Sequence, residues 1–326
     1  MATYFGKLRS RIITPNESAT KLDVRGFHVK DAEAKELLET IGRTFLSGFA
    51  CAAREGSAAR MAPELDQIPV RFRGFAYEGG AMCCTILDAM SARGHRVADL
   101  VNGPGDRHSY MVYVGMGWAM ARLPQVRWRA IKAADPLLRW LVLDGYGFHQ
   151  AYFRTEEYVR RQYQPVRFPW PAGSQAWYAR HAIDQGIGRA LWFVCGTDTD
   201  LVAATVDGFP AHRRADLYSG VGLAATYAGG AQETDLLALS ARAGGYRPAL
   251  AQGSAFAAEA RLRADLVVPH VNLATRALCG LTPEQAAKVC AHAMPDASAA
   301  TGDDDVPAYE AWRQQVAAEF ASLGQC

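Results

Sequence analysis

After Asp31 the apolar side chains Leu37, Leu38, Ile41, Phe45, Leu46 and Phe49 return every three or four residues, which predicts one long helix capped by Asp31 and carrying a single apolar face. Further along, the apolar residues gather behind a short glycine signature instead. It reads E-G-G-A at Glu78–Ala81, V-G-M-G at Val114–Gly117, D-G-Y-G at Asp144–Gly147, Q-G-I-G at Gln185–Gly188, S-G-V-G at Ser219–Gly222 and Q-G-S-A at Gln252–Ala255. The first glycines (Gly79, Gly115, Gly145, Gly186, Gly220 and Gly253) lie 36, 30, 41, 34 and 33 residues apart. The residues after most of these pairs are rich in alanine and leucine, strong helix formers, whereas an interior glycine costs about 1 kcal/mol against alanine. A penalty accepted at six related places points to a backbone that a neighbouring helix or a ligand approaches closely.

A period of this size marks units that cannot bury an apolar face alone and must stack. D-L-V-A-A-T-V-D-G-F-P from Asp200 parallels D-L-L-A-L-S-A-R-A-G-G-Y from Asp235, so each unit is read as two helices. The expected fold is all-α, helix-pair repeats forming a solenoid, with a closed α/α toroid as the alternative because six units could close a ring. The phosphate-cradling reading of the glycines fails, because the position of a third glycine holds Cys84, Met120, Gln150, Leu191, Ala225 and Ala258. The chain divides into an N-terminal arm and helix (1–63), a repeat body (64–263) and C-terminal capping helices (264–326), with residues 1–30 wrapping the body. Thr282 to Gln285 starts a capping helix, and Asp303–Asp305 reads as a solvated turn, with a Mg²⁺ site as the alternative.

Half of the residues are hydrophobic and the net charge is +2 with no long basic run, which argues against a nucleic-acid partner and for a small molecule or a protein. The seven cysteines include no C-x-x-C pair, and no histidines stand at zinc spacing, so neither a metal nor a cofactor is expected. That cysteine pattern, a polar N-terminal sequence and the lack of an apolar stretch of about 18 residues together predict a cytoplasmic protein without a membrane span. Glu78 and Asp144, carboxylates in apolar surroundings, are the leading candidates for acid–base work, with His149 and His108 as further proton carriers. Cys83 and Cys84 have no adjacent base and are read as inert. Tyr77, Tyr110, Trp118, Tyr152 and Trp192 would suit a flat unsaturated ligand or simply pack. Gln185, Ser219 and Gln252, each just before a first glycine, either line a shared concave surface or latch neighbouring units together. Arg189 either holds an anionic group of a ligand or pairs with Asp184, and the pairing is the favoured reading.

The stretches R-G-F-A-Y-E-G-G-A-M, H-S-Y-M-V-Y-V-G-M-G-W-A, L-D-G-Y-G-F-H-Q-A-Y-F, D-Q-G-I-G-R-A-L-W-F-V and R-R-A-D-L-Y-S-G-V-G-L-A-A-T-Y-A-G-G resemble the UnbL-type accessory proteins of enediyne polyketide biosynthesis. The likeness runs over roughly residues 25 to 315. It implies a place near the maturation of a polyketide synthase's linear polyene, and it brings no catalytic residues with it. The expected function is therefore a cofactor-independent enzyme that holds a hydrophobic polyene in an inner cavity, with Glu78, Asp144 and His149 handling protons. The alternative is a non-catalytic repeat scaffold that binds a carrier protein or peptide.

Overall fold

In the computed structural model, which describes residues 4–91, 94–170, 174–296 and 305–324, no strand occurs among the described residues. Two short helices, α1 (Tyr4–Ile13) and α2 (Leu22–Arg25), precede the long α3 (Ala32–Glu55). Long and short helices then alternate through α4 (Ala58–Leu65), α5 (Val70–Ala89), α6 (Arg96–Val101), α7 (Ser109–Arg122), α8 (Trp140–Phe153), α9 (Ala179–Val194), α10 (Thr199–Asp207), α11 (Ala211–Ala228), α12 (Glu233–Ala243), α13 (Arg247–Arg263) and α14 (Pro269–Cys279). A 3-10 turn at Gln125–Ala130 and a π turn at Glu156–Arg160 stand where α7 and α8 would have their short partners. The chain ends in α15 (Pro283–Ala293) and α16 (Ala308–Ser322). The all-α repeat read from the sequence is what the chain forms. Asp31 caps α3 by accepting from Ala34 N at 2.7 Å, and Thr282 and Gln285 build a reciprocal cap on α15. Asp303, Asp304 and Cys326 lie outside the described residues, and Asp305 is exposed.

The glycine signature sets the spacing of the long helices. A Cβ placed on Gly115 would lie 2.2 Å from the Glu78 carbonyl oxygen, on Gly145 2.0 Å from that of Val114, and on Gly186 1.9 Å from that of Asp144. On Gly220 it would lie 2.0 Å from the Gln185 carbonyl, and on Gly253 1.8 Å from that of Ser219. Each of these carbonyls belongs to the residue just before the first glycine of the preceding long helix. The second glycines return the contact to the following helix, Gly117 on Val142, Gly147 on Ile183, Gly188 on Leu217 and Gly222 on Leu250, at 2.0 or 2.1 Å. No side chain fits there, so backbone lies on backbone at both crossings, the geometry in which Cα–H groups meet carbonyl oxygens. Gly79 meets the Phe45 carbonyl and Gly48 that of Ala76, both at 1.9 Å. Helix α3 is thus a seventh member of the row, with Leu46 in the place of a first glycine.

Neighbouring long helices run in the same direction. The starts of α8 and α9 meet through the Trp140 and Tyr178 rings, 4.9 Å apart, and those of α11 and α13 through Tyr246 Oη, which donates to Ala211 O at 3.3 Å. Their ends meet likewise, as Trp192 Nε1 of α9 donates to Gly229 O after α11 at 2.9 Å. Neighbours on two sides leave the inner members of the row with almost no solvent face. In α8 every residue from Trp140 to Tyr152 is buried, which is why its sequence is apolar all round and has no amphipathic stripe.

The row bends until its later helices reach its beginning, the closed arrangement of the two that the repeat allowed. Phe75 and Tyr227 pack edge to face at 5.2 Å between α5 and α11. Arg261 on α13, fully buried, donates to Arg71 O at 3.0 Å, to Val70 O at 3.4 Å and to Tyr227 O, and its guanidinium sits 4.0 Å from the Tyr227 ring centroid. One cation therefore ties the first turn of α5 to the ends of α11 and α13. The N-terminal arm crosses the ends of three helices and supplies donors to their free carbonyls. Arg25 donates to Phe153 O at 3.1 Å, His28 N to Val194 O at 3.0 Å and Lys30 Nζ to Gly230 O at 2.9 Å. At the other end α16 wedges in. Its Arg313 donates to Asp216, Glu310 and Tyr178 at 2.8–2.9 Å, and its Trp312 packs on Phe256 at 4.3 Å.

Candidate functional site

Within each long helix from α7 to α11, the residues three and seven places after the first glycine face a common interior. Trp118 and Arg122, Phe148 and Tyr152, Arg189 and Phe193, and Leu223 and Tyr227 line one cavity of about 890 Å³, counting the space at its opening. Helix α5 adds Phe75, Glu78 and Met82, helix α3 adds Phe45 and its neighbours, and Pro15, Ala19 and Thr20 of the N-terminal arm form part of the wall. A second cavity, of about 370 Å³, lies toward α13 between Tyr110, Asp144 and Phe256, and shares Arg189, Leu223 and Tyr227 with the first. Arg189 stands in the partition. At the third place after the glycine it is the cation in a series whose other members are Met82, Trp118, Phe148, Leu223 and Phe256.

A guanidinium taken out of water must be paired. Arg189 Nη1 donates to Asp144, which also accepts from Gln185 Nε2 at 2.8 Å, and the guanidinium lies 5.2 Å from the Phe148 ring centroid. The expected pairing of Arg189 with Asp184 is not formed. Asp184 takes two bonds from Arg213 instead, at 2.6 and 2.9 Å, because residues five apart on one helix face different sides whereas Asp144 and Arg189 meet across the α8–α9 crossing. Burial opposes the charge on Arg189, yet Asp144 and Glu78 together raise its pKa above the ordinary value.

Glu78 is the third member. Burial pushes its carboxyl up to about 7; Arg189 pulls it down and the Asp144 carboxylate pushes it further up. One cation between two carboxylates in an apolar site balances one negative charge, so near neutral pH Glu78 retains its proton part of the time. The indole N–H of Trp118 lies toward the same carboxyl but outside hydrogen-bonding geometry. His149 is 5% exposed, with both ring nitrogens buried and without a hydrogen-bond partner, and burial brings its pKa down to about 3, helped by Arg122, Arg25 and Arg154. It is a neutral imidazole in the cavity wall.

The candidates read from the sequence separate into three groups. Glu78, His149, Trp118, Tyr152 and Arg189 line the large cavity, and Asp144 and Tyr110 line the small one. Gln185, Ser219 and Gln252 join helices: Gln185 reaches Asp144 and Tyr309 Oη, and Ser219 Oγ donates to Gln252 Oε1 at 2.8 Å. His108, Tyr77 and Trp192 line neither cavity. His108 stacks on Tyr77 at 3.9 Å, Tyr77 Oη donates to Asp66, and Trp192 is held by Gly229. Burial raises the Cys84 thiol to about 12 and the Cys83 thiol higher still, which leaves no thiolate for chemistry. Phe75, Arg122, Phe153 and Leu223 are cavity residues that sequence reasoning missed. For Arg122 and Leu223 the signal was the fixed offset of seven and three from a first glycine, visible once the glycines are taken as the register; Phe75 and Phe153 stand outside that offset and had no such signal.

No helix among the described residues is long and apolar enough to cross a membrane. Compared with the curated proteins and with the solved structures, the chain matches none. Over residues 4–320 it matches the family model described as protein of unknown function (DUF1702), and the chain belongs to that family.

Proposed function

We propose that the helical ring encloses an extended unsaturated small molecule of polyketide origin and that Glu78 exchanges protons with it, shifting or closing its double-bond system. The observation that carries this reading is the Glu78 carboxyl, 3% exposed in a cavity walled by aromatic rings, with a pKa near neutrality and a paired guanidinium beside it. A group poised near the working pH both gives and takes a proton efficiently. The step balances within the site: the carboxylate takes one proton from one carbon, and the carboxyl so formed returns one to another, with no oxidant or reductant. Resemblance to the UnbL-type accessory proteins supplies the rest of the proposal, a cytoplasmic step in enediyne-type maturation on material received from a polyketide synthase or its carrier protein. The inward-facing cavity, walled by helices α3, α5, α7, α8, α9 and α11 of the row, supports a small-molecule ligand over a scaffold that grips a peptide, which would need an open groove.

The test is metabolite profiling of a producing strain that carries Glu78→Gln. This substitution keeps the shape and removes the titrating proton, whereas Asp144→Asn would leave Arg189 buried and unpaired and would confound folding with chemistry. The expected result is a folded protein and lost product. Wild-type titres would end the catalytic reading.

A further inference from the structure

The cavity wall contains more hydrogen-bonding capacity than the protein uses. Both ring nitrogens of His149 are buried and unpartnered, Trp118 Nε1 is buried and directed toward the Glu78 carboxyl without closing a hydrogen bond, and the two rings meet edge to face at 5.5 Å, lining the same side of the cavity on α7 and α8. Leaving a buried donor unmade is expensive. A neutral imidazole always carries one donor and one acceptor, so this corner offers at least two donors beside one acceptor in either tautomer. The remaining wall is mostly hydrocarbon and aromatic, from Phe45, Phe75, Phe148 and Tyr227, with Glu78, Arg122 and Arg189 as its charged members.

Resting on the small-molecule reading above, we infer that the ligand is an oxygenated polyene, a conjugated ketone or aldehyde, whose carbonyl oxygen accepts hydrogen bonds from Trp118 and His149. The chain of the ligand lies along the aromatic wall, with its carbonyl at the Trp118–His149 corner. The chemistry requires such a group. A carboxylic acid is too weak to protonate an unactivated alkene, but its carboxylate can take a proton from the carbon next to, or vinylogously conjugated with, a carbonyl. The C–H electron pair then moves into the conjugated system and the negative charge settles on oxygen. Donors aimed at that oxygen hold the enolate, and Glu78 returns the proton at a different carbon, so that a double bond moves and nothing is oxidised or reduced.

β-Ionone, a conjugated dienone, and its deoxygenated hydrocarbon counterpart are the probes, with binding measured by equilibrium dialysis and the dienone absorption band recorded in the complex. Wild-type protein is expected to bind β-ionone about ten-fold tighter than the hydrocarbon and to shift its band to the red. Trp118→Phe and His149→Phe should each reduce the preference while hydrocarbon binding persists, and His149→Asn should restore part of it. Two independent positions keep the test open if one variant does not fold. Equal binding of both probes with no band shift would overturn the carbonyl anchor and leave the cavity reading standing. If neither probe binds wild-type protein, the small-molecule reading fails and the anchor fails with it.

Discussion

Glu78, Asp144 and Arg189 act as one electrostatic unit, two carboxyl groups and one cation in a buried apolar site. Asp144 and Arg189 are separated by a helix crossing and 45 residues, and Glu78 is more distant still. Only the local alternative, Asp184, was visible along the chain. The physical consequence of the trio is a pH dependence. Glu78 has a folded-state pKa near 7 against an ordinary value of 4.5, so its contribution to stability is complete below about 4.5 and is lost as pH rises through 7. The loss is on the order of 3 kcal/mol. Thermal unfolding midpoints of wild type and Glu78→Gln, measured from pH 5 to 8, should therefore diverge, with the glutamine variant gaining on the wild type as pH rises. Parallel curves would show that Glu78 does not titrate in this range.

At the level of the helix, the sequence carried more than a fold class. Its glycine period correctly implied close backbone approach, and the structure gives the reason: every first glycine, and every second glycine but Gly80, faces a carbonyl of an adjacent helix. What stayed hidden was α3, because its first-glycine position holds Leu46 and only Gly48 survives. The inner stripe was equally obscure, since the aromatic residues three and seven places on are indistinguishable from core until the ring closes. Gly186→Ala would put a methyl 1.9 Å from the Asp144 carbonyl oxygen and 2.8 Å from Phe148 N, with backbone on that side and nothing free to move aside. Chemical denaturation should show a loss of roughly 2 kcal/mol or more. Gly245→Ala, with nothing within 4 Å, is the control and should change stability little. Equal behaviour of the two would contradict the crossing geometry.

For the whole molecule, closure depends on contacts that no local pattern announces. Arg261 reads as one basic residue in the last turn of a helix, yet it is fully buried and bridges Val70, Arg71 and Tyr227. Arg261→Met keeps much of the volume and removes the bridge. It should lower stability by about 3 kcal/mol and speed amide hydrogen exchange in the first turn of α5, leaving the α8–α9 crossing protected. Uniform exchange, or none, would mean that the ring is held elsewhere. The inward-facing cavity exists because the row closes in this way, and the proposed proton transfer by Glu78 depends on it. The most direct test is proton exchange: β-ionone is incubated with the protein in D₂O, and deuterium uptake is followed by mass spectrometry. Uptake at C–H positions next to, or vinylogously conjugated with, the carbonyl is expected above the buffer rate with wild-type protein, and none above it with Glu78→Gln. Bound β-ionone that takes up no deuterium with wild type, or equal uptake with both proteins, would contradict the proposed transfer.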